Sequence, residues 1–124
     1  MRSILKLASF FSNAKRFTKS HEWVQYFPER KVARVGISDY AQQQLGEIIH
    51  IEFPSVGKAV QKGDSTVVVE SVKIAADVYT PISGKVQALN KEVEGNPALV
   101  NEAAEKSWLF EVSYEKEADG LLSE

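Results

Sequence analysis

From residue 18 to residue 113 the apolar positions recur in short runs with a period near two, broken every few residues by Gly, Pro or Asp. Such alternation marks half-buried strands. Strands are expected over residues 21–26, 31–37, 47–53, 66–70, 76–80, 85–89 and 107–113. Turns are expected at Pro28-Glu29-Arg30, Gly57, Gly63-Asp64 and Ser83-Gly84, and a loop over residues 94–97. One segment breaks the pattern. Ser38 or Asp39 can cap a short helix over residues 40–45, with Gly46 as its stop. Many short strands at close spacing imply a sandwich or small barrel. A faint internal echo accompanies them: Gly57-Lys58-Ala59-Val60 and Gly84-Lys85-Val86 each follow a Pro and open a strand-rich stretch. Two similar halves around residues 66–80 would suit a quasi-symmetric sandwich.

A chain of 124 residues fits one domain with one small core. No apolar run reaches the roughly 20 residues of a membrane helix. The chain has no cysteine, so disulfides, thiolate nucleophiles and cysteine metal sites are excluded. Any sulfur chemistry must come from an attached cofactor.

Charge divides the chain. Residues 1–20 hold five basic residues (Arg2, Lys6, Lys15, Arg16, Lys19) and no acid; removing these from the total of 15 leaves 10 basic against 17 acidic residues in 21–124, a balance of −7. An acidic body argues against nucleic-acid binding, which needs a basic face. In the basic segment Ile4, Leu7 and Phe11 fall at helical spacing with Arg2, Lys6 and Lys15 between them. Such a segment reads as an organelle-targeting helix. Residues 1–17 are therefore expected to be a presequence, with cleavage near Arg16 and Phe17, and residues 18–124 the domain. The expected destination is the mitochondrial matrix or a mitochondrion-derived organelle such as a hydrogenosome.

The stretch that carries chemistry is Glu70-Ser71-Val72-Lys73-Ile74-Ala75-Ala76-Asp77. Two strands meet here with no Gly or Pro between them, so the turn falls near residues 71–74 and sets Lys73 at a hairpin tip. A lysine there has a long flexible stem, and small neighbours in Ala75 and Ala76; acylation would turn its ammonium into a neutral amide. On residue chemistry alone, however, a tip lysine is usually a solvated turn residue. His21-Glu22-Trp23-Val24-Gln25 is a near miss to a zinc-protease motif, with Gln25 where the second His must stand, so metal chemistry is set aside.

Glu70-Ser71-Val72-Lys73 followed by Asp77-Val78-Tyr79-Thr80-Pro81-Ile82-Ser83-Gly84 resembles the lipoylation signature of the glycine cleavage H proteins. Ser20-His21-Glu22-Trp23, Gly36-Ile37-Ser38-Asp39-Tyr40-Ala41-Gln42 with Leu45-Gly46-Glu47, and Val60-Gln61-Lys62-Gly63-Asp64 are similar to the same family in the same order. Asn96-Pro97-Ala98-Leu99-Val100-Asn101 and Trp108 extend the likeness over roughly residues 18–112. The resemblance implies a mainly β fold, a flattened barrel-sandwich hybrid like that of lipoyl domains, with a few short helices. It implies a non-catalytic, monomeric carrier with lipoate in amide linkage to Lys73, placed there by a lipoate-attaching enzyme. The implied partners are a pyridoxal-phosphate glycine decarboxylase, a tetrahydrofolate-dependent aminomethyltransferase and the FAD enzyme dihydrolipoyl dehydrogenase. It further implies that Ser20, Glu22 and Asp77 cradle the cationic aminomethyl arm; the plain alternative makes Glu22 and Asp77 surface carboxylates. Two departures stand out. The family continues past Leu121-Leu122-Ser123-Glu124 into a C-terminal helix, and Glu105-Lys106-Ser107 replaces a more glycine-rich approach to Trp108. Other readings are a lipoyl relay for modifying other complexes, or an unmodified adaptor. A biotin carrier is disfavoured because Val72 and Ile74, not Met, flank the lysine.

Overall fold

A computed structural model describes residues 15–115 and 122–123. Within them lie ten strands and three short helices: β1 (Arg16–Phe17), β2 (Glu22–Phe27), β3 (Val32–Ile37), α1 (Asp39–Leu45), β4 (Ile48–Glu52), β5 (Ala59–Val60), β6 (Ser65–Ser71), β7 (Ala75–Tyr79), β8 (Gly84–Leu89), α2 (Lys91–Gly95), α3 (Leu99–Ala103), β9 (Phe110–Ser113) and β10 (Leu122–Ser123). The strands form a seven-stranded sheet, in the order β10-β1-β2-β3-β9-β8-β5, and a three-stranded sheet, β4-β6-β7. Val24, Tyr26, Val35, Phe110 and Val112 of the larger sheet bury themselves in one cluster with Ile51, Val67, Val69 and Val78 of the smaller. This mainly β, two-sheet architecture agrees with the expected barrel-sandwich hybrid.

The helix expected at residues 40–45 is α1. Ser38 Oγ accepts from Ala41 N at 3.1 Å, and Gly46, at φ 84°, ends the helix with its N–H on Gln42 O. Side-chain oxygens at an N-cap satisfy amides that have no partner in the first turn. The expected loop at residues 94–97 needs correction. Asn90 Oδ1 caps Glu92 N at 3.1 Å, α2 runs through Gly95, and its Val93 is buried. Five residues are too few for a helical period to stand out beside Gly95 and Pro97. The last expected strand is shorter than residues 107–113, because Ser107 and Trp108 turn aside: Ser107 Oγ donates to Leu99 O, and Trp108 O accepts from Asn90 Nδ2.

The internal echo has a structural meaning. Its two copies pair with each other, Ala59 opposite Lys85 and Val60 opposite Gly84. Gly57 N donates to Val86 O at 2.7 Å, and Val86 N to Lys58 O at 2.8 Å. At the other edge Arg16 pairs with Val24 and Phe17 with Trp23. The sheet therefore starts before the expected boundary at residue 17. Residues 1–14, where the rest of the expected targeting segment falls, lie outside the described residues.

Candidate functional site

β6 and β7 pair antiparallel, with Glu70 opposite Ala75 and Val69 opposite Ala76, leaving Val72, Lys73 and Ile74 as the tip. Ser71 makes this turn without glycine. Its Oγ accepts from Lys73 N and Ile74 N, each at 3.1 Å, and donates to Ile74 O at 3.2 Å. Its own N–H donates to Ile74 O at 2.8 Å, and Val72 N donates to Glu47 O at 3.0 Å. Of the expected modification motif, then, Ser71 is the turn-builder and is buried, whereas Val72 and Ile74 stand 61% and 55% exposed on either side of an exposed Lys73. Glu70, the fourth motif residue, faces His50 across the strands at 3.8 Å, both partly in solvent.

The Lys73 stem does not point straight into solvent. It lies over Gly46, where an added Cβ would sit 2.9 Å from Lys73 Cε. Gly46 is held in place from behind. Asn101 Nδ2 donates to Gly46 O at 2.8 Å and to Gln42 Oε1 at 2.9 Å, and Asn101 Oδ1 accepts from Ile48 N at 2.8 Å. One amide thus fastens the α1–β4 corner to α3. Nothing in the sequence marks Asn101 as a bracket, since its partners lie more than 50 positions away.

Beside α1, between it, the start of β2 and β7, runs a cleft of about 220 Å³. Ile37, Ala41, Leu45 and Val78 supply apolar lining, and Ser20, Glu22 and Asp77 bring polar groups to the same cleft. The three residues expected in the cradle are therefore together. They are not alike. Glu22 is buried, 3% exposed, and its carboxylate is already well engaged. Oε1 accepts from Ser20 Oγ at 2.7 Å and from Thr18 Oγ1 at 2.5 Å, and Oε2 accepts from Tyr79 N at 3.2 Å. A buried carboxylate needs such donors to offset its desolvation. Asp77 is exposed, and its Oδ1 accepts from Ser65 Oγ at 2.6 Å. Of the two carboxylates, Asp77 is thus exposed at the cleft and Glu22 is buried beside it. Thr18 escapes sequence reading altogether: it precedes the Ser20 motif and reads as a loop hydroxyl.

The geometry suits a tethered acyl arm. The tip lysine is reachable from outside. Its stem rests on a residue without a side chain, and that residue directly follows Leu45, which lines the cleft. An arm attached at Lys73 would have an apolar trough beside it with hydroxyl and carboxylate groups at hand.

The sequence model for Glycine cleavage H-protein matches residues 15–124. The glycine cleavage system H protein of Xanthobacter autotrophicus is 54% identical over 112 residues, covering 88% of each chain. That of Thermotoga maritima is 47% identical over 113 residues, covering 89% of this chain and 90% of the relative. The crystal structure of a glycine cleavage system H protein from Mycobacterium marinum superposes with a TM-score of 0.81 at 29% identity, over 90% of this chain and 91% of that one. On a match that spans the whole described fold and its lysine-tipped hairpin, the chain belongs to the glycine cleavage H-protein family, the lipoate carriers of glycine cleavage.

Proposed function

We propose that Lys73 of this chain bears the lipoate through an amide on Nζ. The chain would then ferry the aminomethyl group of glycine from the pyridoxal-phosphate decarboxylase to the tetrahydrofolate-dependent aminomethyltransferase, with dihydrolipoyl dehydrogenase restoring the arm. The observation that carries the reading is the tip itself: an exposed lysine on a turn fixed by Ser71, its stem seated on Gly46 beside a cleft that holds Ser20, Glu22 and Asp77. Lipoate supplies the pair of sulfurs that a chain without cysteine lacks.

The protein's own part is to hold and to shield. Ser71 keeps the tip open to the attaching enzyme. Gly46 leaves room for the stem. Ser20 and Asp77 accept from an ammonium in the cleft, and Glu22 fixes the Ser20 hydroxyl while adding a buried negative charge close by; charge-assisted hydrogen bonds of this kind are about twice as strong as neutral ones. The three partner enzymes do the bond-making, so the chain acts as a carrier rather than a catalyst.

The basic segment at the start is read as an import signal to a mitochondrion or a related organelle. Because Arg16 and Phe17 belong to the sheet, processing ahead of Lys15 would leave the sheet whole.

Intact mass of the protein from its native source, with peptide mapping, tests the reading. A lipoyl-sized increment on Lys73, on a chain that starts near Lys15, supports both carriage and import. Native protein with a bare Lys73 would overturn carriage and favour an unmodified adaptor, and a full-length lipoylated chain would remove the import signal alone.

A further inference from the structure

Two aromatic residues line the same cleft without any part in the cradle. His21 and Tyr40 stack at a centroid distance of 4.6 Å with their planes tilted by 45°. Both line the cleft, and both are exposed; Tyr40 is 54% exposed, among the most exposed of the large apolar side chains. Core packing therefore does not account for the pair.

The backbone is strained to make it. His21 sits at φ 69°, one of two non-glycine residues in the left-handed region among the described residues. That region is disfavoured for residues with a Cβ, and it persists where surrounding structure imposes it. Here two bonds impose it. His21 N donates to Thr18 O at 3.1 Å, and His21 O accepts from Ser38 N at 2.8 Å. Ser38 is also the cap of α1, the helix that carries Tyr40. The bond that bends the chain at His21 thus also sets the distance between the two rings. Between Ser20 and Glu22, an extended residue 21 would turn its ring elsewhere.

We infer that His21 and Tyr40 form an aromatic wall of the cleft, positioned by the left-handed turn at His21, that closes over the cationic end of the arm and keeps water from it. The tyrosine offers a π face to an ammonium, and both rings cover apolar chain. This rests on the cleft being the resting place of the arm, as proposed above.

Three variants test it. His21→Asn removes the ring but keeps a residue that tolerates the left-handed region. Tyr40→Leu removes the ring and keeps an apolar side chain, and Tyr40→Phe restores the ring without the hydroxyl. The aromatic proton resonances of His21 and Tyr40 are compared in the lipoylated and the aminomethyl-loaded chains, and the lifetime of the aminomethyl-loaded form is measured for each variant beside Glu22→Ala. Both rings should shift on loading of the aminomethyl group. His21→Asn and Tyr40→Leu should shorten the lifetime about two- to fivefold, the range an exposed cation–π contact gives, with Tyr40→Phe at the parent value and melting temperatures close to the parent's. Unshifted rings and parent lifetimes in His21→Asn and Tyr40→Leu, with Glu22→Ala still short-lived, would overturn the wall and leave the cleft standing. Parent lifetimes in all the variants, Glu22→Ala included, would overturn the cleft reading and the wall with it.

Discussion

Lys73 and Glu22 are the two residues on which the proposed carriage turns, and they make opposite demands on the fold. Lys73 is exposed, and its stem lies against Gly46. Lys73→Arg keeps the charge and removes the acylable amine. It should abolish lipoylation, seen as a missing mass increment, while the thermal midpoint stays near the parent value. A clear drop in the midpoint would argue that the stem contact is structural. Glu22 is the reverse case. Truncating it strands the Thr18 and Ser20 hydroxyls and the Tyr79 amide. Glu22→Ala should therefore cost about 1.5–3 kcal/mol of stability in urea unfolding, the usual range for hydrogen bonds to a charged group, besides shortening the life of the loaded arm. Glu22→Gln keeps an acceptor for the hydroxyls and should recover much of the stability without the negative charge. If Gln restored the lifetime as well, the charge would have no part in the cradle. The sequence carries the identity of these residues through the resemblance, but not their burial. Around Glu22 the row His21, Glu22, Trp23, Val24 runs exposed, buried, buried, buried. Covering both faces of β2 erases the alternation from which a buried carboxylate could have been inferred.

Among the elements, the hairpin is the piece whose sequence says least about how it turns. Tight hairpins are usually marked by Gly or Asn at positive φ, and Ser71-Val72-Lys73-Ile74 has neither. The serine hydroxyl substitutes by binding the next amides, a local side-chain turn. Ser71→Ala should cost about 1 kcal/mol and loosen the tip. The sharper measure is the rate at which a lipoate-attaching enzyme modifies Lys73, which should fall while the rest of the amide spectrum is undisturbed. An unchanged rate would mean that the enzyme shapes the tip itself. Elements with a strong period were legible: the strands on either side of this turn, β3, and α1 with its serine cap and glycine stop. The short pieces were not. β1 has two residues, and α2 and α3 have five each, below the length at which any period repeats. Their order comes from contacts far along the chain, such as Asn90 Nδ2 on Trp108 O.

At the scale of the molecule, composition and spacing point to a β sandwich or barrel, and pairing decides which. β3 lies against β9 and β8 against β9, across long stretches of chain, and nothing local encodes such neighbours. One glycine gives the closure a testable point. At Gly84 the chain enters β8 from the Ser83 turn, next to the end of β9, and a Cβ there would come within 2.0 Å of Ser113 O and 2.6 Å of Val112 Cγ1. The first of these is backbone in a paired strand and has little room to move. A Gly inside a strand often marks such a close approach. Gly84→Ala must therefore push β8 off β9, where Lys85 pairs with Ser113 and Val86 with Val112. The same shift disturbs β5, which hangs on β8 through Gly84 and Lys85. Overpacking of this kind costs about 3 kcal/mol, which for a domain of this size lowers the thermal midpoint by roughly 10 °C. The damage is far from Lys73 in the chain and lies in the other sheet. Yet Val86 and Val112 share one buried cluster with Val67, Val69 and Val78 of the hairpin sheet. With a single shared core, the molecule should melt as one unit. Far-UV circular dichroism and the fluorescence of Trp23, an indole buried in β2, should then fall together in Gly84→Ala, at the same lowered temperature. Lipoylation of Lys73 below that temperature should proceed at the parent rate. If the hairpin sheet kept its parent midpoint while the large sheet melted early, the two sheets would be separate cooperative units. The carrier hairpin would then owe its stability to β4, β6 and β7 alone.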